Sequence, residues 1–152
     1  MMRRLIFVCW ILLVVSFHST AAIFTVTNNA DSGPGTFREA LTLAAGNGSA
    51  LKDYINFNLS GTTRANRTIT ITTALPKLSS NLVIDGSTQP GIPFGVSDAK
   101  VILLARIQAE YIGVLECYKE ADVELYGLMF EKSPDYTTGY YVSSSQRLRG
   151  LF

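Results

Sequence analysis

Leu82-Val83-Ile84-Asp85-Gly86, Val123-Glu124-Leu125-Tyr126-Gly127 and Gln146-Arg147-Leu148-Arg149-Gly150 are three versions of one short pattern, a strand-like run closed by glycine. Gly127 and Gly150 stand about 23 residues apart, within the repeat lengths that build solenoids, and the step from Gly86 to Gly127 fits roughly two such coils. A strand that recurs at coil spacing buries one face against copies of itself, so the pattern predicts a parallel β-helix. The last copy ends at Leu151-Phe152 with no polar segment to cover an open coil. The expectation is therefore the front end of a longer, truncated stack.

Working outward, Tyr54-Ile55-Asn56-Phe57 and Thr68-Ile69-Thr70-Ile71-Thr72 alternate with period two, giving each one core face and one solvent face. Leu75, Leu78, Leu82 and Ile84 continue the core side. Ser87-Thr88-Gln89-Pro90-Gly91-Ile92-Pro93 reads as a loop, because neither proline can donate to a ladder. Further strands are expected at Val101–Leu104, Gly113–Cys117, Val123–Phe130 and Tyr140–Val142. Segments this short, without intervening helices, fit a β-helix or a β-sandwich. The glycine that follows a strand at coil spacing favours the β-helix.

The chain before these strands reads differently. Ile23–Thr27 is a β-branched strand, and Asn28–Gly35 is dense in turn residues. Thr36-Phe37-Arg38-Glu39 is a capping box, in which Thr36 accepts from the Glu39 amide and the Glu39 side chain returns to Thr36. Phe37, Ala40, Leu41, Ala44 and Ala45 then form one apolar helix face, closed by Gly46. Residues 23–46 are thus expected to be an N-terminal cap that covers the open end of the coils in 47–152.

Arg3 and Arg4, the apolar run Leu5–Phe17 and the small residues Ser19-Thr20-Ala21-Ala22 make residues 1–22 a signal peptide, cut after Ala22 or Ala21. As a helix the apolar run reaches only about 20 Å, short of the roughly 30 Å hydrocarbon core. The expected product is secreted or held at the cell surface, with no membrane span after cleavage. Losing two arginines turns thirteen basic residues against twelve acidic into eleven against twelve. That near-neutral balance argues against a nucleic-acid partner.

His18 and Trp10 leave with the signal segment, so the mature chain holds neither residue type. Ser-His-Asp and Cys-His catalysis are excluded within it, as are zinc sites built on imidazole. Cys117 is then the lone cysteine, so no intramolecular disulfide can form; its place in an alternating segment predicts a buried small apolar side chain.

Phe24-Thr25-Val26-Thr27-Asn28-Asn29-Ala30-Asp31-Ser32-Gly33-Pro34-Gly35-Thr36-Phe37-Arg38-Glu39-Ala40-Leu41 resembles the opening of secreted bacterial right-handed parallel β-helix proteins of the pectate-lyase-like superfold. Leu82–Gly91 looks like that family's first full coil and loop, and Val123–Leu128 like its recurring strand. The resemblance implies an all-β fold, a right-handed parallel β-helix with a short N-terminal capping α-helix. It also implies adhesin-like surface proteins or scaffolds that handle polysaccharide. It confers no activity, because one superfold hosts many functions.

Candidate chemistry must therefore come from residues. A lyase of this architecture needs clustered carboxylates for Ca²⁺ and a base near the substrate's α-proton. Asp122 and Glu124 are the only acidic pair at i, i+2 on a strand, and they read as solvent-facing. Asp85 opens a loop and reads as a turn residue that satisfies its own amides. No catalytic residue, metal ligand or cofactor is named, and the reading leans away from an enzyme. Tyr136 and Tyr140 are the candidate ligand-binding pair, offering aromatic faces to a sugar. The structural set is Thr36, Phe37 and Glu39 at the cap and Gly86, Gly127 and Gly150 at the coil corners. The expected function is an exported, non-catalytic scaffold or adhesin. The alternative is a carbohydrate-binding or polysaccharide-degrading β-helix whose active site lies mostly in missing coils. Expected partners are polysaccharide or cell-surface components, and the missing C-terminal coils of the full-length chain.

Overall fold

The computed structural model describes residues 21–107, 114–118, 121–133 and 148–149. Tyr136 and Tyr140, expected as a ligand-binding pair, Gly150, the strand expected over Tyr140–Val142 and residues 1–20 lie outside the described residues. The chain runs β1 (Ile23–Val26), α1 (Phe37–Asn47), β2 (Asp53–Phe57), β3 (Thr68–Ile71), β4 (Leu82–Asp85), β5 (Val101–Ala105), β6 (Val123–Tyr126), β7 (Leu128–Lys132) and β8 (Leu148–Arg149). A single 3₁₀ turn occupies Gly86–Thr88.

The strands form two sheets, one ordered β1-β2-β4-β6-β8 and the other β3-β5-β7. Every pairing in both is parallel. From β2 onward the chain alternates strictly between the sheets, and within each sheet the spatial order is the sequence order. The observed architecture is thus mostly parallel strands in two sheets with one helix.

Register lines up like with like. Phe24, Ile55, Ile84 and Leu125 form one column across β1, β2, β4 and β6; the last three are fully buried. Ile69 and Leu103 pair across β3 and β5, both buried, and Phe130 on β7 continues the column. The intervening residues Tyr54, Asn56, Asp85, Glu124 and Tyr126 point the other way, as a period of two requires. Each buried large side chain is worth about 1.5–3 kcal/mol relative to exposure.

The helix packs on this core through Phe37, Ala40, Leu41 and Ala44. The Phe37 ring lies 5.7 Å from that of Phe57 on β2. Two details of the expected helix change. Ala45 is exposed, and the helix continues through Gly46 to Asn47, so Gly48, with φ 89°, is the C-cap. The turn before the helix is tied down by Arg38. Its guanidinium reaches the Asp31 carboxylate at 2.7 Å and the carbonyls of Thr73 and Ala74, while Asp31 accepts from the Thr72 amide at 3.2 Å and hydroxyl at 2.5 Å. One ion pair thereby joins the opening turn, the helix and the exit from β3.

The loop after β4 is also structural. The fully buried Gln89 accepts from the Leu59 amide at 2.7 Å and donates to the Leu59 carbonyl at 3.2 Å. Its side chain replaces a strand where the ladder beyond β2 stops. Thr88 Oγ1 accepts from the Phe57 amide at 2.8 Å.

The repeat arithmetic needs correction. β4 pairs directly with β6, aligning Leu82 with Val123, so Gly86 to Gly127 is one strand step rather than two coils. Likewise Val123 pairs with Leu148 and not with Gln146, so the glycine alignment of the last repeat is out of register. Val123–Phe130 is not one strand. It breaks at Gly127 (φ 60°) into β6 and β7, which belong to different sheets. Among the described residues, the strand expected over Gly113–Cys117 is reduced to an isolated parallel bridge between Leu78 and Cys117.

Gly86 and Gly127 are stacked on each other. A Cβ on Gly86 would strike the Gly127 carbonyl, and one on Gly127 would strike the backbone of Gly86 and Ser87. The same Gly127 carbonyl accepts from the Lys100 amide at 2.9 Å, so it cannot swing aside. Gly127→Ala is expected to lower stability by about 2–4 kcal/mol, combining the cost of a left-handed alanine with overpacking. Phe37→Ala should cost about 3–5 kcal/mol by emptying its site against Phe57. Leu43→Ala, half exposed on the same helix, should change stability by no more than about 0.5 kcal/mol. Denaturant unfolding of the three variants measures the ordering.

Candidate functional site

The outward face of β3-β5-β7 carries a shallow, open depression of about 590 Å³, lined by Asn29, Arg64, Ala65, Thr68, Thr70, Leu104 and Glu131. Its origin is local. Ile69 and Ile71 are buried, so Thr68 and Thr70 must face out, and register sets Leu104 beside Thr70 and Glu131 beside Leu104. Arg64, on the turn before β3, forms an ion pair with Glu131. Asn29 donates to the carbonyls of Ala65 and Asn66 at 3.3 and 3.2 Å, fixing the rim.

Behind this rim lies Arg67, only 3% exposed. Its guanidinium carbon sits 4.0 Å from the Phe94 ring centroid, and Nη1 donates to the Ile92 carbonyl at 2.8 Å. Arg64 approaches the same ring at 5.5 Å. The Ile92–Phe94 loop is therefore clamped by two guanidiniums. Arg67 serves this loop rather than the depression, whose lining does not include it.

The outward face of the other sheet carries a smaller polar group. Lys52 reaches Glu124 at 2.6 Å, and the Tyr126 hydroxyl donates to the same carboxylate at 2.7 Å. The hydrogen bond from Lys52 to Glu124 holds the lysine in its charged form to higher pH than usual, against the pull of desolvation. Asp122 is exposed and Glu124 half-buried on this outward face, in line with the sequence expectation. Asp85 accepts from the Ser87 amide at 2.9 Å and the Ser87 hydroxyl at 2.5 Å, which is the turn role read from its position.

At the cap, Thr36 Oγ1 accepts from the Glu39 amide at 3.3 Å, as expected. The Glu39 carboxylate, however, accepts from the Gly35 amide at 2.7 Å instead of returning to Thr36. Thr36's own amide is taken by the Gly33 carbonyl, so the carboxylate moves one residue back. Cys117 is half-buried rather than enclosed, and desolvation pushes its thiol up in pKa. It is a poor nucleophile at neutral pH.

Chemically, the depression offers hydroxyls, an amide and a carboxylate already neutralised by Arg64. That set can hydrogen-bond a polyol, and its openness allows little desolvation. Among the described residues there is no group of three or more His, Cys, Asp and Glu that could hold a metal ion. No helix there is long and apolar enough to cross a membrane. Of the sequence-chosen residues, Thr36, Phe37 and Glu39 come together at the helix start and Gly86 and Gly127 at one corner. The depression was missed. Its signal was the alternation Thr68-Ile69-Thr70-Ile71, which already assigned both threonines to one face. The chain matches no protein-family model, no curated protein and no solved structure.

Asp31 makes the cap sensitive to acid. Burial disfavours its charged form, but hydrogen bonds from Thr72 and Arg38 more than compensate, so its carboxyl titrates below its ordinary value. The unfolded chain therefore takes up that proton first as pH falls. The stabilisation is present above about pH 4 and is lost as pH drops through the folded-state pKa. Asp31→Asn should lower the thermal midpoint at pH 7, and the gap from the parent should close toward pH 2.

Proposed function

We propose that this chain is an exported, non-catalytic scaffold whose strands wind as a right-handed parallel β-helix, with α1 covering its first turn. The observation that carries the reading is the topology. Every strand pair is parallel, spatial order follows sequence order in both sheets, and the chain alternates between them. Winding in one sense gives that order without any crossing connection, and parallel crossovers are right-handed in nearly all proteins. The resemblance of Phe24–Leu41 to the opening of secreted β-helix proteins, and the signal-peptide pattern of residues 1–22, point the same way. A stack of this kind presents a regular outer surface whose residues can vary without touching the core, which suits a surface scaffold or adhesin.

A second reading is favoured by the depression over Thr68, Thr70 and Glu131. It makes the scaffold a carbohydrate binder, with Tyr136 and Tyr140 as further aromatic platforms. The two readings separate in one pair of assays on pectate, alginate and neutral glycans, run with and without Ca²⁺. The scaffold reading expects neither turnover nor retention on immobilised glycan. The binding reading expects retention that falls at least fivefold in Thr70→Ala or in the Tyr136→Ala, Tyr140→Ala double variant. New ultraviolet absorbance from an unsaturated uronide, abolished in Glu131→Gln, would overturn both.

A further inference from the structure

Asp53 opens β2 at a position whose side chain faces inward, in the column of Leu82 and Val123. It is 1% exposed. One oxygen, Oδ1, accepts from the Asn47 amide side chain at 2.8 Å and from the Ala22 backbone N–H at 2.9 Å. The other, Oδ2, is buried with no hydrogen-bond partner. Asp53 takes part in none of the four ion pairs among the described residues. The neighbouring cation, Lys52, turns outward to Glu124. A buried carboxylate with one oxygen bare and no counter-ion is costly, and such groups ordinarily find a charge partner.

The Ala22 nitrogen is the group best placed to become that partner. We infer that the signal segment is cut between Ala21 and Ala22, and that the freed α-ammonium of Ala22 forms a buried ion pair with Asp53 that locks the mature N-terminus onto the first strand. Hydrolysis adds water across the Ala21–Ala22 peptide bond. The hydroxyl goes to the Ala21 carbonyl carbon, the nitrogen keeps the electron pair of the broken bond, and it takes up protons to become NH₃⁺. One donor on Ala22 becomes three at the same place, enough to serve Oδ1 and the bare Oδ2 together.

Ladder geometry selects this bond over the next one. The Ala22 carbonyl accepts from the Tyr54 amide at 2.8 Å, so Ala22 already belongs to the parallel pairing of β1 with β2. Cleavage after Ala22 would discard that bond and leave Asp53 with Asn47 alone. Ser19-Thr20-Ala21 also supplies small residues one and three positions before the cut, as signal cleavage requires.

The inference rests on the export reading above, and the experiment separates the two. The full 152-residue chain is expressed in a secreting host, and the exported product is read by intact mass and N-terminal sequencing. Its amines are then labelled with an acylating reagent in the native and denatured states. The expected result is Ala22 at the N-terminus, with its α-amine labelled at least tenfold more slowly in the native state than after denaturation. Asp53→Asn should abolish that protection, whereas Asn47→Ala should retain it. Should Asp53→Asn fail to fold, the native-against-denatured ratio of the parent still decides. An N-terminus at Ile23, or at any residue other than Ala22, overturns the inference while leaving export intact. An unprocessed Met1 overturns the export reading and this one with it. An N-terminus at Ala22 whose amine labels equally fast in both states, or whose protection survives Asp53→Asn, overturns the ion pair.

Discussion

Everything in this molecule depends on parallel strands stacking so that inward residues meet inward residues. Phe24, Ile55, Ile84 and Leu125 are one such column, and Ile69, Leu103 and Phe130 another. With a period of two, a slip of one residue would turn a whole column to solvent and bring Tyr54, Asn56 and Glu124 inside. The register is therefore strongly specified even where the loops between strands differ in length. Among the described residues Cys117 is a free thiol, so packing and hydrogen bonds, not a disulfide, hold these strands together.

That constraint explains why turns are satisfied with such care. Parallel strands cannot be joined by tight hairpins, so β1 reaches β2 through α1, and from β2 onward the chain crosses to the other sheet and back. At the corner between β6 and β7 the crossing takes no more than Gly127, whose positive φ redirects the chain and whose missing side chain admits Gly86 from the strand beside it. Elsewhere side chains complete the ladder. Gln89 pairs with both backbone groups of Leu59, and Arg38 gathers the carbonyls of Asp31, Thr73 and Ala74. These connections rely on specific polar residues, not on loop flexibility.

Most of the strands and the opening helix were legible in the sequence because both rest on short-range rules. Tyr54–Phe57, Thr68–Ile71 and Val101–Leu104 announce themselves by alternation or β-branched runs, and Thr36-Phe37-Arg38-Glu39 by its capping chemistry. The spacing of paired strands was not legible. A glycine spacing measures strand plus loop, and loop length costs little free energy, so repeats of one architecture can differ widely in length. The same weakness hid the break at Gly127, since Val123–Phe130 is apolar enough to read as one strand and only the positive φ separates the sheets. The depression on β3-β5-β7 joins residues from the opening turn, the turn before β3 and three strands; no linear motif could have assembled it.

Polar residues enter the interior where regular pairing ends: at the helix start, in loops and at the first residue of a strand. Thr36 starts the helix, Gln89 finishes the ladder beyond β2, Arg67 braces Phe94, and Asp53 meets Ala22 at the head of β1. A buried polar group is least costly in the arrangement that best satisfies it, so these positions disfavour alternative registers that apolar columns alone would allow. Thr36 and Gln89 are fully provided for by the chain as it stands, and Arg67, whose Nε is buried without a hydrogen-bond partner, keeps its charge against the Phe94 ring. Asp53 differs, because its second oxygen lacks a donor while Ala22 remains an internal residue. On the proposed reading, fold and export then meet at this carboxylate: the inward register of β2 dictates its burial, and proteolytic maturation supplies the positive charge that the sequence of the folded domain leaves out.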